Sequence, residues 1–522
     1  MSFKKKLSCL MIEKAVSAAA LSLCFSQGAY ALSFNPSEEL RIDWDTTLTY
    51  GASWRVESAD NRLVDPTVNG GINVNQDDGN RNFDTGLISN RVGLTSEIDL
   101  NYQNVYGMFL RGRAYYDDVY HGKNDNDSPG TSNNLSVPYN EFTKETRKRH
   151  GDEMEMLDYF LYGGFDLGGH NLNLRLGSQV VSWGESVFVV GGVSTAQSPV
   201  DATQLGVPGV ELKDIFLPAQ QLYAQFEIND ALSVEGYYQL EWDKTRLVAA
   251  GSYFSAADYY DEGGEQLIIA PGMALQRGHD THASDNGQYG IAVRYLAEEF
   301  NNTEFGFYYL NYHDKLPYFD WSRAFIDGTY SLAYGEDIQL YGISFGTVLG
   351  DTNISGEYSY RKGMKLLDST PLTPMPVEAD VSQLQLSAIH VFGPSYLADD
   401  TVLVAEVGYN KAHDLKASDL MVGDTDAWGF ATKLDLTYNA IAPGIDLTIP
   451  LVWNHDLAGN LGGDGAVLGT FDQGKDVISV GAEFTFQNNF KTAIKYTSFL
   501  GSADEDLQAD RDFISISAKY SF

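Results

Sequence analysis

The segment that decides the fold is the last one, Asp512-Phe513-Ile514-Ser515-Ile516-Ser517-Ala518-Lys519-Tyr520-Ser521-Phe522. Apolar side chains occupy every second position from 514 to 522. Because successive side chains of a strand point to opposite faces, this pattern predicts a β-strand with one apolar face. Terminal aromatic residues on such a strand are typical of the signal read by the barrel assembly machinery. We therefore expect Tyr520 and Phe522 to act as an insertion signal, and that machinery to be a partner.

The same alternation recurs along the chain. Within residues 41–55 the even positions, from Ile42 to Trp54, are mostly apolar or aromatic, and the odd positions are mostly charged or polar. Similar segments give about 18 candidate strands, most of them about 10 to 15 residues long, which is enough to cross a bilayer when tilted. No apolar run approaches the roughly 18 residues that a membrane helix needs.

Short and long connections alternate between these candidate strands. Short turns are centred on 103–104, 168–169, 229–230, 301–302, 351–352, 394, 443–444 and 488–489. Long segments cover roughly 57–85, 118–152, 183–218, 244–287, 313–336, 362–382, 411–426, 456–474 and 500–508. Short turns at one end, long loops at the other and an even strand number are the plan of bacterial outer-membrane barrels. The sequence predicts an all-β, transmembrane, antiparallel up-and-down β-barrel of about 18 strands, with 16 as the alternative.

Residues 1–31 have the features of a secretory signal peptide. A basic start precedes an apolar stretch, and Ala29-Tyr30-Ala31 fits an A-x-A cleavage site. Lipoprotein processing at Cys24 is the alternative, which the bulky Leu23 before it disfavours. We expect one exported domain, residues 32–522, in the outer membrane of a Gram-negative bacterium.

Composition narrows the function classes. The formal net charge of −36 argues against a nucleic-acid partner. Both cysteines, Cys9 and Cys24, precede the expected cleavage site, so the exported chain has no cysteine nucleophile or ligand. Nothing resembles a G-x-S-x-G nucleophile elbow, since the one run with that spacing, 342–346, stands within a candidate strand, and no H-E-x-x-H motif occurs. We expect no catalytic residues, no enzyme activity and no cofactor.

Charged side chains recur on the polar face of the candidate strands, which a barrel would turn toward its lumen. They either form a constriction that selects permeants or belong to the hydrated, salt-bridged interior of any large barrel. The candidates are Asp43, Asp45, Arg55, Arg91, Glu97, Asp99, Arg111, Arg113, Arg175, Glu235 and Glu241.

The long segment 183–218 is unusually apolar and carries few charges. Because such a segment is poorly suited to open water, we expect it to fold into the lumen or mouth as a gate, hatch or hydrophobic contact surface. An ordinary loop packed on its neighbours is the alternative. The candidate gate residues are Trp183, Glu185, Phe188, Asp201, Glu211 and Lys213.

Two further patterns give weaker predictions. Asn75, Asp77 and Asp84 resemble part of a calcium loop, but Asp78 stands where an EF-hand needs glycine, so an Asx-rich turn is the favoured interpretation and no metal site is expected. The basic cluster 144–150 would meet lipopolysaccharide phosphates or simply be solvated. Outer-membrane lipid and lipopolysaccharide are therefore expected partners.

Several segments resemble domain-of-unknown-function family 1302 across essentially the whole exported chain. The segments that carry the resemblance are 45–56, 75–84, 177–186, 208–213, 238–242 and 455–456. Ser198-Pro199 departs from the Asn-Pro of the family, so no role for that asparagine carries over. The resemblance implies a proteobacterial outer-membrane protein. It also implies partnership with a periplasmic lipid-carrier-like protein and an efflux-type inner-membrane transporter.

Three functions follow as hypotheses. The first is an outer-membrane channel or transporter for a lipid or other hydrophobic small molecule, which the apolar segment 183–218 favours. The second is a general or substrate-selective porin that uses the charged lumen. The third is an outer-membrane hydrolase or adhesin.

Overall fold

Long antiparallel strands, each hydrogen-bonded to its neighbours in a ring, form the body of the protein. A computed structural model describes residues 32–65, 74–76, 78–370, 374–420, 424–461 and 471–522. The strands are β1 (Leu32–Phe34), β2 (Leu40–Arg55), β3 (Gly86–Tyr102), β4 (Tyr106–Asp117), β5 (Asp152–Asp166), β6 (Asn171–Gln179), β7 (Ala219–Asn229), β8 (Leu232–Gln239), β9 (Gln266–Ala270), β10 (Met273–Arg277), β11 (Tyr289–Ala297), β12 (Thr303–Tyr312), β13 (Pro317–Asp320), β14 (Thr329–Tyr334), β15 (Ile338–Leu349), β16 (Thr352–Leu367), β17 (Pro376–Val391), β18 (Asp400–His413), β19 (Asp426–Ala442), β20 (Ile445–Ala458), β21 (Asp476–Phe486), β22 (Phe490–Phe499) and β23 (Phe513–Ser521).

Pairing of the first long strand with the last one closes the barrel. Residues 47–55 of β2 pair with 513–521 of β23. The short strand β1 pairs with residues 42–44 of β2 and so continues that edge. Setting β1 and the four strands β9, β10, β13 and β14 aside, the ring contains eighteen antiparallel strands. The predicted barrel and its strand number are confirmed.

The outer face of the barrel is apolar and uncovered. Trp44 and Leu48 in β2 are 42% and 41% exposed, and Ile343 in β15 is 53% exposed. Their strand neighbours on the inner face include fully buried polar groups such as Ser53. Exposed apolar residues on one face of every strand are costly in water and favourable against lipid hydrocarbon.

Tight turns join the strands at one end of the barrel, here called the short-turn end. Asn104, Asn302 and Asn488 adopt positive φ angles in three of these turns, as two-residue hairpins require and as asparagine tolerates better than most residues. The predicted short turns are confirmed. One predicted loop, 362–382, is much shorter, because β16 continues to Leu367 and β17 begins at Pro376.

At the other end, the long-loop end, a cap of packed loops covers part of the barrel. It consists of residues 56–65, 78–85, 118–151, 240–288, 313–337 and 500–512, and it includes the four-stranded sheet β13-β14-β10-β9. Its helical segments are short: α1 (Asn61–Val64), α2 (Asp78–Arg81), α3 (Lys144–Thr146) and a π-helical turn (Arg147–Gly151). Within the described residues, no helix has the length and apolar character needed to cross a membrane.

Candidate functional site: the lumen and its inner loop

Residues 180–218, between β6 and β7, form a loop that enters the barrel; we call it the inner loop. Its first half reaches the inner face of β16–β18, which lie far from β6 in the ring. There Glu357 accepts hydrogen bonds from the backbone N–H groups of Glu185 (2.9 Å) and Val193 (2.6 Å). The expectation that this segment folds into the lumen or mouth is confirmed.

A second carboxylate of the barrel wall binds the same half of the inner loop. Glu406 in β18 accepts hydrogen bonds from three consecutive backbone amides, those of Val187 (3.1 Å), Phe188 (2.5 Å) and Val189 (2.6 Å). Hydrogen bonds to an ionised acceptor are about twice as strong as neutral ones. The backbone of the inner loop is therefore fixed to the wall, whereas the side chains of Val187 and Phe188 remain 37% and 40% exposed.

A glycine makes this close approach possible. Gly184 has φ +93°, and a Cβ added there would lie 2.0 Å from a carboxylate oxygen of Glu357. Glycine alone adopts that backbone conformation without strain and leaves room for the carboxylate.

The second half of the inner loop crosses to β3, β4 and β23. Asp201 lies 2.7 Å from Arg113 of β4, and both side chains are buried. Arg91 of β3 donates to the amide oxygen of Gln204 (2.8 Å). Further along, Lys213 pairs with Glu97 at 3.0 Å.

Two more wall residues complete this anchorage. Lys519 of β23 lies 2.6 Å from Glu211, and Arg111 donates to the carbonyl oxygen of Lys213 (2.8 Å). The inner loop is thus attached to opposite sides of the barrel and spans its lumen.

An apolar core fills the lumen on the β8–β16 side. The indole of Trp183 packs against the rings of Tyr237 (5.1 Å between centroids) and Tyr308 (6.1 Å). Its N–H donates to Glu235 (2.7 Å), and Val193 is fully buried nearby. This side of the lumen is therefore occupied by packed side chains.

The open space lies on the other side, between the inner loop and β21–β23. A cavity of ≈ 480 Å³ is bounded by inner-loop residues 204–211 and 215 and by side chains of the three strands. Leu205, Val207 and Val210 contribute an apolar wall. The strands contribute Glu483, Lys491, Lys495, Phe513, Ser515 and Lys519, among others.

A second cavity of ≈ 670 Å³ lies at the short-turn end of the lumen. The rings of Phe109 and Phe160 pack there in a tilted arrangement with their centroids 5.5 Å apart. Arg175 lies over the rings of Phe160 (5.9 Å) and Tyr223 (5.3 Å), which is the geometry of a cation–π contact. Aromatic rings on the lumen side of a barrel provide apolar surface where a simple aqueous pore would be polar.

The structure divides the predicted lumen charges into three groups. Arg91, Glu97, Arg111, Arg113 and Glu235 contact the inner loop, as described above. Arg175 and Asp99 line the short-turn cavity.

Asp43 and Asp45 form the third group, on the lumen face near the short-turn end. They lie directly opposite Asp99 and Glu97 in the β2–β3 ladder. Together the four carboxylates make an acidic strip along β2 and β3.

Two predicted lumen residues are placed elsewhere. Arg55 is buried beneath the cap, where it donates to the carbonyl oxygens of Phe83 (2.8 Å) and Asp510 (3.0 Å), so it cannot meet a permeant. Glu241 lies two residues beyond the end of β8 at Gln239, so it is not part of a barrel strand.

Sequence reasoning missed the residues that hold the first half of the inner loop. Besides Glu357 and Glu406, Gln383 donates to the carbonyl oxygen of Val190 (2.8 Å) and Arg361 donates to that of Gly192 (2.9 Å). All four stand on the polar face of alternating strands. That position was the available signal, but nothing in sequence spacing links these strands to the inner loop.

The calcium-like pattern and the basic cluster 144–150 both lie against the loops of the cap. Among these residues, no group of three or more His, Asp or Glu side chains could hold a metal ion. Asn75 uses its amide on the backbone of Ile268, and Asp77 lies outside the described residues, so the calcium hypothesis stays untested. Arg149 and His150 of the basic cluster point into the cap, where Arg149 pairs with Glu262.

The closed eighteen-stranded ring, with a loop folded across its lumen, defines a porin-like β-barrel of the kind found in bacterial outer membranes. The chain belongs to the family described as "Protein of unknown function (DUF1302)", whose model matches residues 13–522. The resemblance noted in the sequence is thereby confirmed. None of the curated proteins matches the chain.

Solved structures with a similar fold include three outer-membrane channels. OccAB1 of Acinetobacter baumannii is 11% identical, with 92% of this chain and 96% of that one covered and a TM-score of 0.46. OccK3 (OpdO) of Pseudomonas aeruginosa is 9% identical, with 92% and 95% covered and a TM-score of 0.43. OccK9 (OpdG) of the same organism is 9% identical, with 92% and 98% covered and a TM-score of 0.42. Function is therefore inferred from this chain's own side chains.

Proposed function

We propose that the chain is an outer-membrane channel for small molecules with an apolar part, in which the inner loop is a fixed constriction. The observation that carries the proposal is the ≈ 480 Å³ cavity left between the inner loop and β21–β23. Sites for small organic ligands occupy about 300–1,000 Å³, so a single small molecule fits there.

Apolar surface inside the lumen distinguishes this channel from a general aqueous pore. Leu205 is 53% exposed and Val190 is 49% exposed, although both stand on the inner loop rather than on the lipid face. Contact with such surface is worth about 25 cal/mol per Å² of apolar area removed from water. A permeant with a hydrocarbon part would be held in the constriction, whereas a sugar would gain little from it.

The wall contacts favour a fixed constriction over a swinging gate. Opening the inner loop as a lid would break the Glu406 hydrogen bonds and separate Asp201 from Arg113. Removing one partner from a buried ion pair costs about 3–5 kcal/mol, which makes such opening rare without a trigger.

The partners implied by the family resemblance fit this proposal. A molecule with an apolar part would leave the short-turn end into the periplasm, where a lipid-carrier-like protein would shield it from water. The efflux-type inner-membrane transporter would then handle the same molecule at the inner membrane. Co-purification of the carrier with the barrel tests this association.

Planar-bilayer conductance of the refolded residues 32–522 tests the channel. We expect a small, steady current from the wild type. A variant in which residues 187–207 are replaced by a short Gly-Ser linker should show a several-fold larger current, because it loses the obstruction but not the barrel strands. A heat-modifiable shift in gel mobility is the folding control. A folded wild type without current, or a folded variant with unchanged conductance, would refute the proposal.

A further inference from the structure

One lysine in the ≈ 480 Å³ cavity stands apart from the other charges there. Lys491 pairs with Glu483 (3.9 Å) and Lys519 pairs with Glu211 (2.6 Å). Lys495, which is exposed to the same cavity, has no hydrogen bond or ion pair within the part of the chain that the structure describes.

The neighbours of Lys495 explain why its charge is uncompensated. Its cross-strand partners are Gly481 in β21 and Ser515 in β23, neither of which carries a charge. Another cation, Lys433 of β19, also acts on it, and that lysine is itself paired with Asp435 (2.8 Å). In a chain with a net charge of −36, a lumen lysine without an acidic partner among the described residues differs from Lys491 and Lys519, the other two lysines of this cavity.

The wall that faces Lys495 across the cavity is apolar. It consists of inner-loop residues 204–210, including Leu205, Val207 and Val210. Because Glu357 and Glu406 on one side and Asp201 on the other fix the inner loop, this apolar wall is held in place before any ligand arrives. The cavity therefore presents a cation and a hydrocarbon surface to the same small molecule.

We propose that Lys495 and the 204–210 wall form a binding subsite for single-chain amphipathic monoanions, of which a medium-chain carboxylate is the simplest. The inference rests on the proposed function and names its substrate class. An anionic head group would compensate Lys495, and the hydrocarbon chain would cover Leu205 and Val207. One uncompensated cation suits one negative charge, since Glu483 and Glu211 already neutralise the other two lysines.

Ligand charge provides the first test of this subsite. The probes are octanoate, acetate and octyltrimethylammonium, each added to the refolded wild-type barrel in a planar bilayer. We expect octanoate to reduce the ionic current at a concentration at least tenfold lower than either of the others. Acetate lacks the chain, and octyltrimethylammonium carries the opposite charge. Equal block by octanoate and octyltrimethylammonium would overturn the proposal.

Substitutions assign the effect to the two walls. Lys495→Gln should raise the half-blocking octanoate concentration at least tenfold, and Lys495→Arg should restore it. Leu205→Ser should weaken the block of the current by octanoate but leave the block by acetate unchanged. Lys411→Gln, at an exposed position near the long-loop end of β18, is the matched control and should behave as the wild type. Unchanged octanoate block in a folded Lys495→Gln barrel would also overturn the proposal.

A binding measurement separates failure of the subsite from failure of the channel. If the wild type carries no current, the proposed channel is wrong. Calorimetric titration of octanoate into the detergent-solubilised wild type and Lys495→Gln barrels still decides the subsite. Binding to the wild type that Lys495→Gln weakens tenfold supports it, and equal binding or no binding overturns it.

Discussion

Arg113 of β4 and Asp201 of the inner loop form an ion pair of 2.7 Å with both side chains buried. Asp201 also lies 3.6 Å from Arg246 of the cap, so one carboxylate joins the barrel wall, the inner loop and the cap. Buried ion pairs add little to stability when compared with apolar replacements, but breaking one leaves an uncompensated charge. The pair therefore specifies where the inner loop lies.

Substitution of Asp201 by Asn should loosen the inner loop. The variant keeps the side-chain volume but leaves Arg113 with Glu155 as its remaining acidic contact, so we expect a loss of about 3 kcal/mol, at the lower end for a broken buried pair. The midpoint of the heat-modifiable gel shift should fall, and current noise should rise. Asp327→Asn, which removes an exposed ion pair with Arg323, is the control and should change the midpoint little. Equal midpoints in the two variants would contradict this role of Asp201.

Glu406→Gln should destabilise the first half of the inner loop in the same assay. A glutamine offers one acceptor oxygen and directs an NH₂ group toward the three amides that the carboxylate now accepts. Since an unmet buried donor costs about 1–3 kcal/mol, we expect transient larger openings in single-channel records. Glu378→Gln, at an exposed acid near the long-loop end of β17, should leave the records unchanged. Records from Glu406→Gln that match the wild type would show that the carboxylate does not hold the loop.

The alternation of apolar and polar residues was sufficient to predict the barrel, because every barrel strand has one face toward lipid and one toward the lumen. The pattern in 41–55 and 512–522 is local, and the structure places these two segments side by side. The burial of Arg55 beneath the cap could not be predicted from this local pattern. Its burial depends on Asp510, which lies hundreds of residues away in sequence and is brought close only by ring closure.

The candidate site was predictable only in part for the same reason. The apolar character of 183–218 indicated a buried loop, and three of its charged residues, Asp201, Glu211 and Lys213, have charged partners on the wall. Lys495 gave no signal in the sequence. It stands out only in the structure, because its cross-strand neighbours are uncharged and because the inner loop leaves a cavity beside it.

Acid should loosen the cap around His150. This imidazole is buried and accepts a hydrogen bond from the backbone N–H of Ala249 (3.1 Å), which only its neutral form can do. Burial lowers the pKa of His150 from 6.5 to about 4. The folded protein keeps this imidazole neutral, whereas the unfolded chain protonates it below pH 6.5. The free energy of unfolding is therefore unaffected above pH 6.5 and decreases as the pH falls toward 4. The loss reaches roughly 2 kcal/mol at pH 5, at about 1.4 kcal/mol per pKa unit.

Hydrogen exchange near Ala249 measures this effect in the cap. Exchange should accelerate between pH 7 and pH 5 beyond the intrinsic chemical rate. His150→Gln should remove the dependence, since glutamine does not titrate. His170→Gln, at an exposed position in a short turn, should retain it. A pH dependence that survives in His150→Gln would assign the effect to other groups that face His150, among them Asp201 and Glu262.

Removal of Phe522 should impair assembly more than it impairs the finished barrel. In the structure the backbone N–H of Phe522 donates to Thr46 (2.9 Å), and its carbonyl oxygen accepts from Thr46 (2.7 Å). Deletion therefore loses two backbone hydrogen bonds at the closing seam, worth about 1–3 kcal/mol together.

Phe522→Ser keeps both bonds and removes only the aromatic ring beside Tyr520. If the ring is an insertion signal, Phe522→Ser should lower the amount of barrel in the outer membrane several-fold, while the variant refolded in detergent keeps the wild-type gel shift. Phe486→Ser, at an aromatic position near the short-turn end of β21, is the control for general loss of apolar surface. Equal membrane levels of Phe522→Ser and Phe486→Ser would mean that the terminal ring acts only as lipid-facing surface.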